Sequence, residues 1–247
     1  MTPATDDPKS KSHAENTELL RETAQFKQLP DRVQGWVTDS PLASAQFAQF
    51  FRDGGTIKPE AGEGLASYRE RVPPEIAINP SYYPLVNLGG KSTEYQEGRL
   101  FAMMAHEIGH HSINSRTHPF TGMTREQNVQ YRAEHEGQTV LNAFKIFDEL
   151  RDKDDSFRPR YDSVGYGSDL QIAVLYQDWR KNHDETATVR GVASIVLSTR
   201  DSRTTHGNKQ NHCANNAHMA LRTLHMGCPA RIPDDIQITK APIRKAA

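Results

Sequence analysis

Two histidines four residues apart, His106 and His110, enclose a short segment near the middle of the chain, His-Glu-Ile-Gly-His. Apolar residues recur at spacings of three and four across 100–108, which predicts a helix over about 92–114. On a helix, residues four apart lie one above the other, so both imidazoles can reach one metal ion. The chain must therefore fold around a largely apolar helix that presents two histidines at one place.

The glutamate between the histidines, Glu107, suits the segment for metal-assisted hydrolysis. It is rotated by about 100° from the preceding histidine, so its carboxylate can face a metal-bound water. Zn²⁺ polarises a carbonyl group and lowers the pKa of its bound water toward roughly 7. Glu107 would then act as general base and pass the proton to the leaving group. We therefore expect Zn²⁺ as the cofactor, although imidazole and carboxylate ligands also accept other divalent ions.

The segment Ala105-His-Glu-Ile-Gly-His-His resembles the active-site helix of the zincin metallopeptidases. This resemblance implies a small sheet packed on the helix that carries the motif, a cleft across it and hydrolysis of peptide bonds. A catalytic zinc has three protein ligands and a water, so a third ligand must lie elsewhere in the chain. A metzincin would have Gly three and His six residues after the second histidine, where this chain has Ile113 and Arg116. His118 does not fit that spacing either.

The gluzincin pattern, in which a glutamate from a later helix completes the site, fits better. On the helix predicted over 124–151, Glu136 lies in the middle of the apolar face formed by Val129, Ala133, Val140, Phe144 and Phe147. A carboxylate is costly to bury without a cation, which favours Glu136 as the third ligand.

Two other glutamates remain open as the third ligand. Glu134 begins the sequence Glu-His-Glu-Gly-Gln, which resembles the signature of several gluzincins. Glu185 shares a helix face with Val189, Val192 and Val196, and it resembles the later glutamate of peptidases with a long insertion. In that group an Asp follows the glutamate by four residues, and here the position is Val189.

Several other polar residues are candidates for supporting roles. His111 is expected beside the ligands or in solvent, and Tyr166, His183 and His206 are candidates for stabilising the developing oxyanion. The C-terminal region contains Cys213, His218, His225 and Cys228. Three interpretations stay open there: a Cys213–Cys228 disulfide, a structural metal site, or free thiols beside packed histidines.

The rest of the chain predicts an α+β fold that is predominantly helical and zincin-like. Alternating and apolar runs predict strands at 75–80 and 84–88, and we expect a substrate to pair with a strand edge within 75–88. Helical spacing predicts further helices at 43–51, 169–181, 184–198 and 213–226, besides the two above. Residues 1–18 are expected to be a disordered tail, 19–236 the catalytic domain and 237–247 a flexible tail.

Composition excludes several classes of protein. Thirty Lys and Arg against 31 Asp and Glu leave a net charge of -1, so no overall basic field attracts nucleic acid. No apolar run approaches the roughly 20 residues that span a membrane. The N-terminus lacks the basic and apolar segments of a secretory signal. The chain is thus expected in the cytoplasm or exported by another route, as bacterial effectors and toxins of similar type are.

The sequence as a whole predicts a zinc metallopeptidase with His106, His110 and Glu136 as ligands and Glu107 as general base. Its partner would be a protein or peptide substrate, and the oligomeric state stays open. Two alternatives remain. One is a catalytically inactive zincin-like binding module, and the other is a zinc hydrolase of a non-peptide amide.

Overall fold

A computed structural model of the chain describes residues 12–61, 65–80, 92–113 and 122–205, with side chains described as far as residue 198. The elements in chain order are α1 (His13–Glu22), α2 (Asp31–Asp39), α3 (Pro41–Arg52), β1 (Thr56–Pro59), β2 (Ala66–Arg69), β3 (Glu75–Ile78), α4 (Glu94–Ile113), α5 (Arg125–Lys153), α6 (Asp169–Asn182) and α7 (Glu185–Thr205). The predicted α+β class, mostly helical with a small sheet on the motif helix, is confirmed. No described helix is long and apolar enough to cross a membrane.

The helices begin where polar caps stand in the sequence. Thr124 caps α5: its hydroxyl accepts the Gln127 N–H, and the Gln127 side chain accepts the Thr124 N–H. Thr93 and Gln96 exchange the same pair of bonds at the start of α4. The helices predicted at 43–51, 92–114, 124–151, 169–181 and 184–198 correspond to α3, α4, α5, α6 and α7, and are confirmed. The helix predicted at 213–226 lies outside the described residues.

The N-terminal boundary is corrected by the structure. Ser12 forms a capping box with Glu15, and residues 13–18, predicted as part of a disordered tail, form the first turns of α1. Leu20 near the end of this helix is fully buried. The helix therefore packs on the core through this side chain, although most of its residues are polar. Helix α2 was also missed, because it has only nine residues and Gly35 in its interior weakens the local helical signal.

The sheet has three described strands in the order β1-β3-β2, with β1 parallel and β2 antiparallel to β3. Every residue of β3 is buried, as expected for a central strand. The prediction of a substrate-binding edge within 75–88 is therefore wrong for residues 75–78, since β1 and β2 flank them. The strand predicted at 84–88 lies outside the described residues. Strands β1 and β2 were not predicted, because each contains a single large apolar residue, Ile57 and Tyr68, whereas β3 contains two isoleucines.

Helix α4 lies inside the protein rather than on its surface. It packs against α5, against α2 and α3, and against β2, and residues 100–110 are all buried. The close approach to α5 depends on Gly109, where a Cβ would lie 3.3 Å from the Thr139 Cα. The Asn142 amide on α5 donates to the Ala105 carbonyl oxygen across the same contact. The motif histidines are therefore held by the core of the protein.

Candidate metal centre

His106 and His110 project from successive turns of α4 toward one point. Their Nε2 atoms are 3.2 Å apart, and their rings are nearly perpendicular. Both residues are less than a tenth exposed. The helical spacing read from the sequence thus places two imidazole nitrogens side by side in a buried environment.

Helix α5 brings Glu136 to the same point. Its Oε2 lies 3.3 Å from His106 Nε2 and 3.4 Å from His110 Nε2. This oxygen is buried, and among the described residues no hydrogen bond of good geometry reaches it. Burial raises the pKa of a carboxyl group, but here the two imidazoles outweigh burial and hold the pKa of Glu136 well below its usual range. The carboxylate is therefore charged, buried and directed at the histidines.

The electrostatics of His110 mirror those of Glu136. Burial disfavours the imidazolium and lowers its pKa, whereas the Glu136 carboxylate and then Glu107 raise it, and the net shift is upward. Each partner thus favours the charged form of the other. Such a site attracts positive charge, which a divalent cation supplies in place of a proton.

The three atoms form a nearly equilateral triangle with edges of 3.2–3.4 Å. Tetrahedral zinc with ligand bonds of about 2.0–2.1 Å separates its ligand atoms by about 3.3–3.4 Å. The donor set of two imidazoles and one carboxylate is that of known catalytic zinc sites. In the described part of the chain this is the one group of His, Cys, Asp and Glu side chains close enough to hold an ion. The residues present therefore fit a metal of the zinc type.

The other proposed ligands lie elsewhere. Glu134 accepts a hydrogen bond from Gln130 on the outer side of α5. Glu185 pairs with Lys145 at 2.6 Å and its side chain is 56% exposed. His118 lies outside the described residues. Only Glu136 of the three candidate glutamates therefore stands beside the histidines.

Glu107 is turned toward the sheet. Its Oε2 accepts the backbone N–H of Tyr68 on β2 at 2.6 Å, and the residue is 6% exposed. Glu107 is also close enough to His110 to raise the pKa of that imidazole. The carboxylate predicted as general base is thus buried between the strand and the histidines.

A loop between α5 and α6 covers His106. Gly165 has φ of 106°, and a Cβ on it would lie 3.3 Å from His106 Cε1. The ring of Tyr166 stands edge-on to the His106 ring, with centroids 6.4 Å apart. By contrast His183 ends α6 and packs on Trp179. Of the predicted oxyanion candidates, the structure brings Tyr166 to the site and places His183 elsewhere, and His206 is outside the described residues.

Several residues beside the site were not predicted. The Thr139 hydroxyl donates to the Glu136 carbonyl oxygen at 2.8 Å and lies 3.1 Å from His106 Nδ1. The His135 ring stacks on His110, with centroids 5.2 Å apart. Burial and the neighbouring imidazole lower the pKa of His135 to about 4, so this ring is neutral at pH 7. Its position next to Glu136 in the sequence was the available signal.

His111, expected beside the ligands or in solvent, bridges two elements instead of facing water. Its Nδ1 lies 3.1 Å from the Tyr68 hydroxyl, and its Nε2 lies 3.1 Å from Asp53 Oδ2. Its side chain is only 11% exposed. Cys213, His218, His225 and Cys228 lie outside the described residues, so their three interpretations stay predictions.

The sequence matches no protein-family model, and no curated protein or solved structure is significantly similar to it.

Proposed function

We propose that the protein is a zinc-dependent metallopeptidase. The observation that carries the proposal is the buried triangle of His106, His110 and Glu136, whose ligand atoms have the spacing of a tetrahedral zinc site. The resemblance of the 105–111 segment to the zincin helix adds the expectation of a peptide substrate. A zinc ion bound there would supply Lewis acidity and a water of lowered pKa.

In this proposal Glu107 moves the proton. The Tyr68 N–H engages Oε2, and the carboxylate's other oxygen, Oε1, is the atom that takes a proton from the attacking water and gives it to the leaving amine. Burial beside the histidines keeps bulk water from competing for that proton. Neighbouring residues on α4 would therefore bind the metal, His106 and His110, and transfer the proton, Glu107.

Tyr166 is the residue that we assign to the developing oxyanion. Its ring lies beside His106, and a phenol can donate a hydrogen bond to charge that forms on the substrate carbonyl. The two glycines on either side of it have positive φ, 106° and 80°, so the backbone here adopts a conformation that ordinary residues resist. Tyr166 thus lies on a sharp bend of the chain beside His106.

Metal content measured by elemental mass spectrometry on the purified chain tests the site. We expect about one zinc per chain in the wild type, and its loss in His106→Ala and Glu136→Gln. Glu134→Gln is the matched control, since it makes the same change two residues away on α5 and should keep the metal. A wild-type chain without zinc that also takes up none on titration would overturn the proposal.

Peptide hydrolysis is tested with a library of quenched fluorescent peptides and the zinc-loaded chain. Glu107→Gln should keep its zinc and lose about 10²–10⁴ in kcat. Equal cleavage by Glu107→Gln and wild type would remove Glu107 from the mechanism. A zinc-loaded wild type that cleaves no peptide would contradict the peptidase assignment and favour the inactive binding module or the non-peptide amide hydrolase.

A further inference from the structure

Tyr68 touches the candidate site with three different parts of the residue. Its backbone N–H donates to Glu107 Oε2 at 2.6 Å, its ring stacks on His110 at an interplanar angle of 12°, and its hydroxyl lies 3.1 Å from His111 Nδ1. The residue is 8% exposed. A single strand residue therefore connects the carboxylate, one ligand and a histidine outside the ligand set.

His111 continues the connection to Asp53, which follows α3. A carboxylate only accepts hydrogen bonds, so His111 Nε2, 3.1 Å from Asp53 Oδ2, must carry a proton. In the neutral ring Nδ1 is then the acceptor, and the Tyr68 hydroxyl donates a hydrogen bond to it. Asp53 thus fixes the tautomer of His111, and His111 fixes the direction of the tyrosine hydroxyl.

We propose that Tyr68, His111 and Asp53 form a positioning relay that holds the Glu107 carboxylate. The relay anchors the Tyr68 side chain to α4 and to the end of α3, and this anchoring keeps the Tyr68 N–H aimed at Glu107 Oε2. Tyr68 is therefore a positioning residue and need not contact a substrate. Its hydroxyl bonds to His111, and its backbone N–H acts on Glu107. The inference rests on the proposed function only for what Glu107 does, not for how it is held.

The first test measures hydrogen exchange of the residue 68 backbone amide in the full, zinc-loaded chain. Tyr68→Phe and Asp53→Asn should each speed this exchange about threefold to tenfold, which is the scale of losing one hydrogen bond that resists local opening. Tyr95→Phe is the matched control, since it removes a hydroxyl bonded to Asp162 near the surface. That variant should leave the exchange of residue 68 unchanged.

The backbone N–H of Asn79 serves as an internal reference for hydrogen exchange. It lies directly after β3 and donates to the Leu65 carbonyl oxygen at 2.9 Å. A selective increase at residue 68 supports the relay. An unchanged rate at residue 68, or an equal increase at Asn79, overturns it, since the latter would mean that the whole strand loosens.

A second readout separates positioning from folding and from the proposed function. On the peptide library, Tyr68→Phe and Asp53→Asn should lower kcat about 10-fold to 100-fold with KM and zinc content unchanged. A rise in KM with kcat unchanged overturns the relay. If the wild type cleaves no peptide, the proposed function fails, and the exchange result alone decides how Glu107 is held.

Discussion

Gly137 on α5 lies directly against the backbone of Val189 on α7: a Cβ on the glycine would lie 2.5 Å from the Val189 carbonyl oxygen. Real Cβ atoms essentially never come so close to an oxygen, so any side chain here must push the two helices apart. The contact stands one residue from Glu136, so we expect it to influence how closely that carboxylate approaches the histidines.

Gly137→Ala should destabilise the protein by about 1–3 kcal/mol, the usual cost of overpacking, and should weaken zinc binding. Gly35→Ala is the control: it lies in the interior of α2 and no described atom stands within 4 Å of its Cβ position, so about 0.5–1 kcal/mol should be gained. Urea unfolding measures both values. A Gly137→Ala variant as stable as the wild type would contradict the tight contact.

Gly165→Ala tests the loop that covers His106. The positive φ makes alanine cost about 1–3 kcal/mol, and the new methyl group would also press on the His106 ring. Gly122→Ala shares the positive φ, 87°, but has no described atom within 4 Å of its Cβ position. Both variants should lower the melting temperature, and we expect only Gly165→Ala to lower zinc affinity. Equal zinc affinity in the two would show that the loop does not restrain His106.

Chelation should destabilise the folded protein, because a ligand that binds only the native state stabilises it by about 2.7 kcal/mol at one hundred times its dissociation constant. We expect EDTA to lower the melting temperature of the wild type and added zinc to restore it. His106→Ala, which lacks one of the three ligands, should show no response to either reagent. A wild type that melts at the same temperature with and without EDTA would argue against a bound metal.

The sheet contains an ionic cluster with a clear pH dependence. Hydrogen bonds from Arg69 and then Lys58 lower the pKa of Glu60 to about 2, against 4.5 for a free glutamate. A lowered folded pKa means that the stabilisation is complete above pH 4.5 and is lost as the pH falls toward 2. Glu60→Gln should therefore be less stable than the wild type near pH 7, and the difference should shrink as the pH falls from 4.5 through 2. Because the pair is partly exposed, salt should also reduce the difference.

The sequence predictions succeeded where a feature depends on neighbouring residues and failed where it depends on residues far apart in the chain. The motif helix and the position of Glu136 on an apolar face are local periodicities, and each could be read from a few turns of helix. Tyr68 reaches the site only because β2 pairs with β3 and packs on α4, and Asp53 only because α3 ends beside His111. Such contacts join residues some 40 to 60 positions apart, and no window along the sequence contains both partners.

Three elements with a weak apolar pattern, β1, β2 and α1, were also not predicted from the sequence. β1 and β2 each have one buried residue, Ile57 and Tyr68, so their apolar pattern does not stand out from a loop, whereas all four residues of β3 are buried. The polar residues of α1 concealed a helix that capping by Ser12 and burial of Leu20 stabilise. Packing therefore overrode composition at the N-terminus, as it commonly does for weakly patterned segments.

Because residues 100–110 of α4 are buried, a metal bound at the candidate centre would also affect the stability of the fold. The residues that fill the core and the residues that meet at the candidate metal centre alternate along one helix, so no local opening can release one set without disturbing the other. An apo chain would keep a charged carboxylate and two imidazoles within 3.4 Å of one another in its interior. Metal uptake should then be coupled to folding, because a bound cation would balance a carboxylate charge that the interior otherwise has to hold.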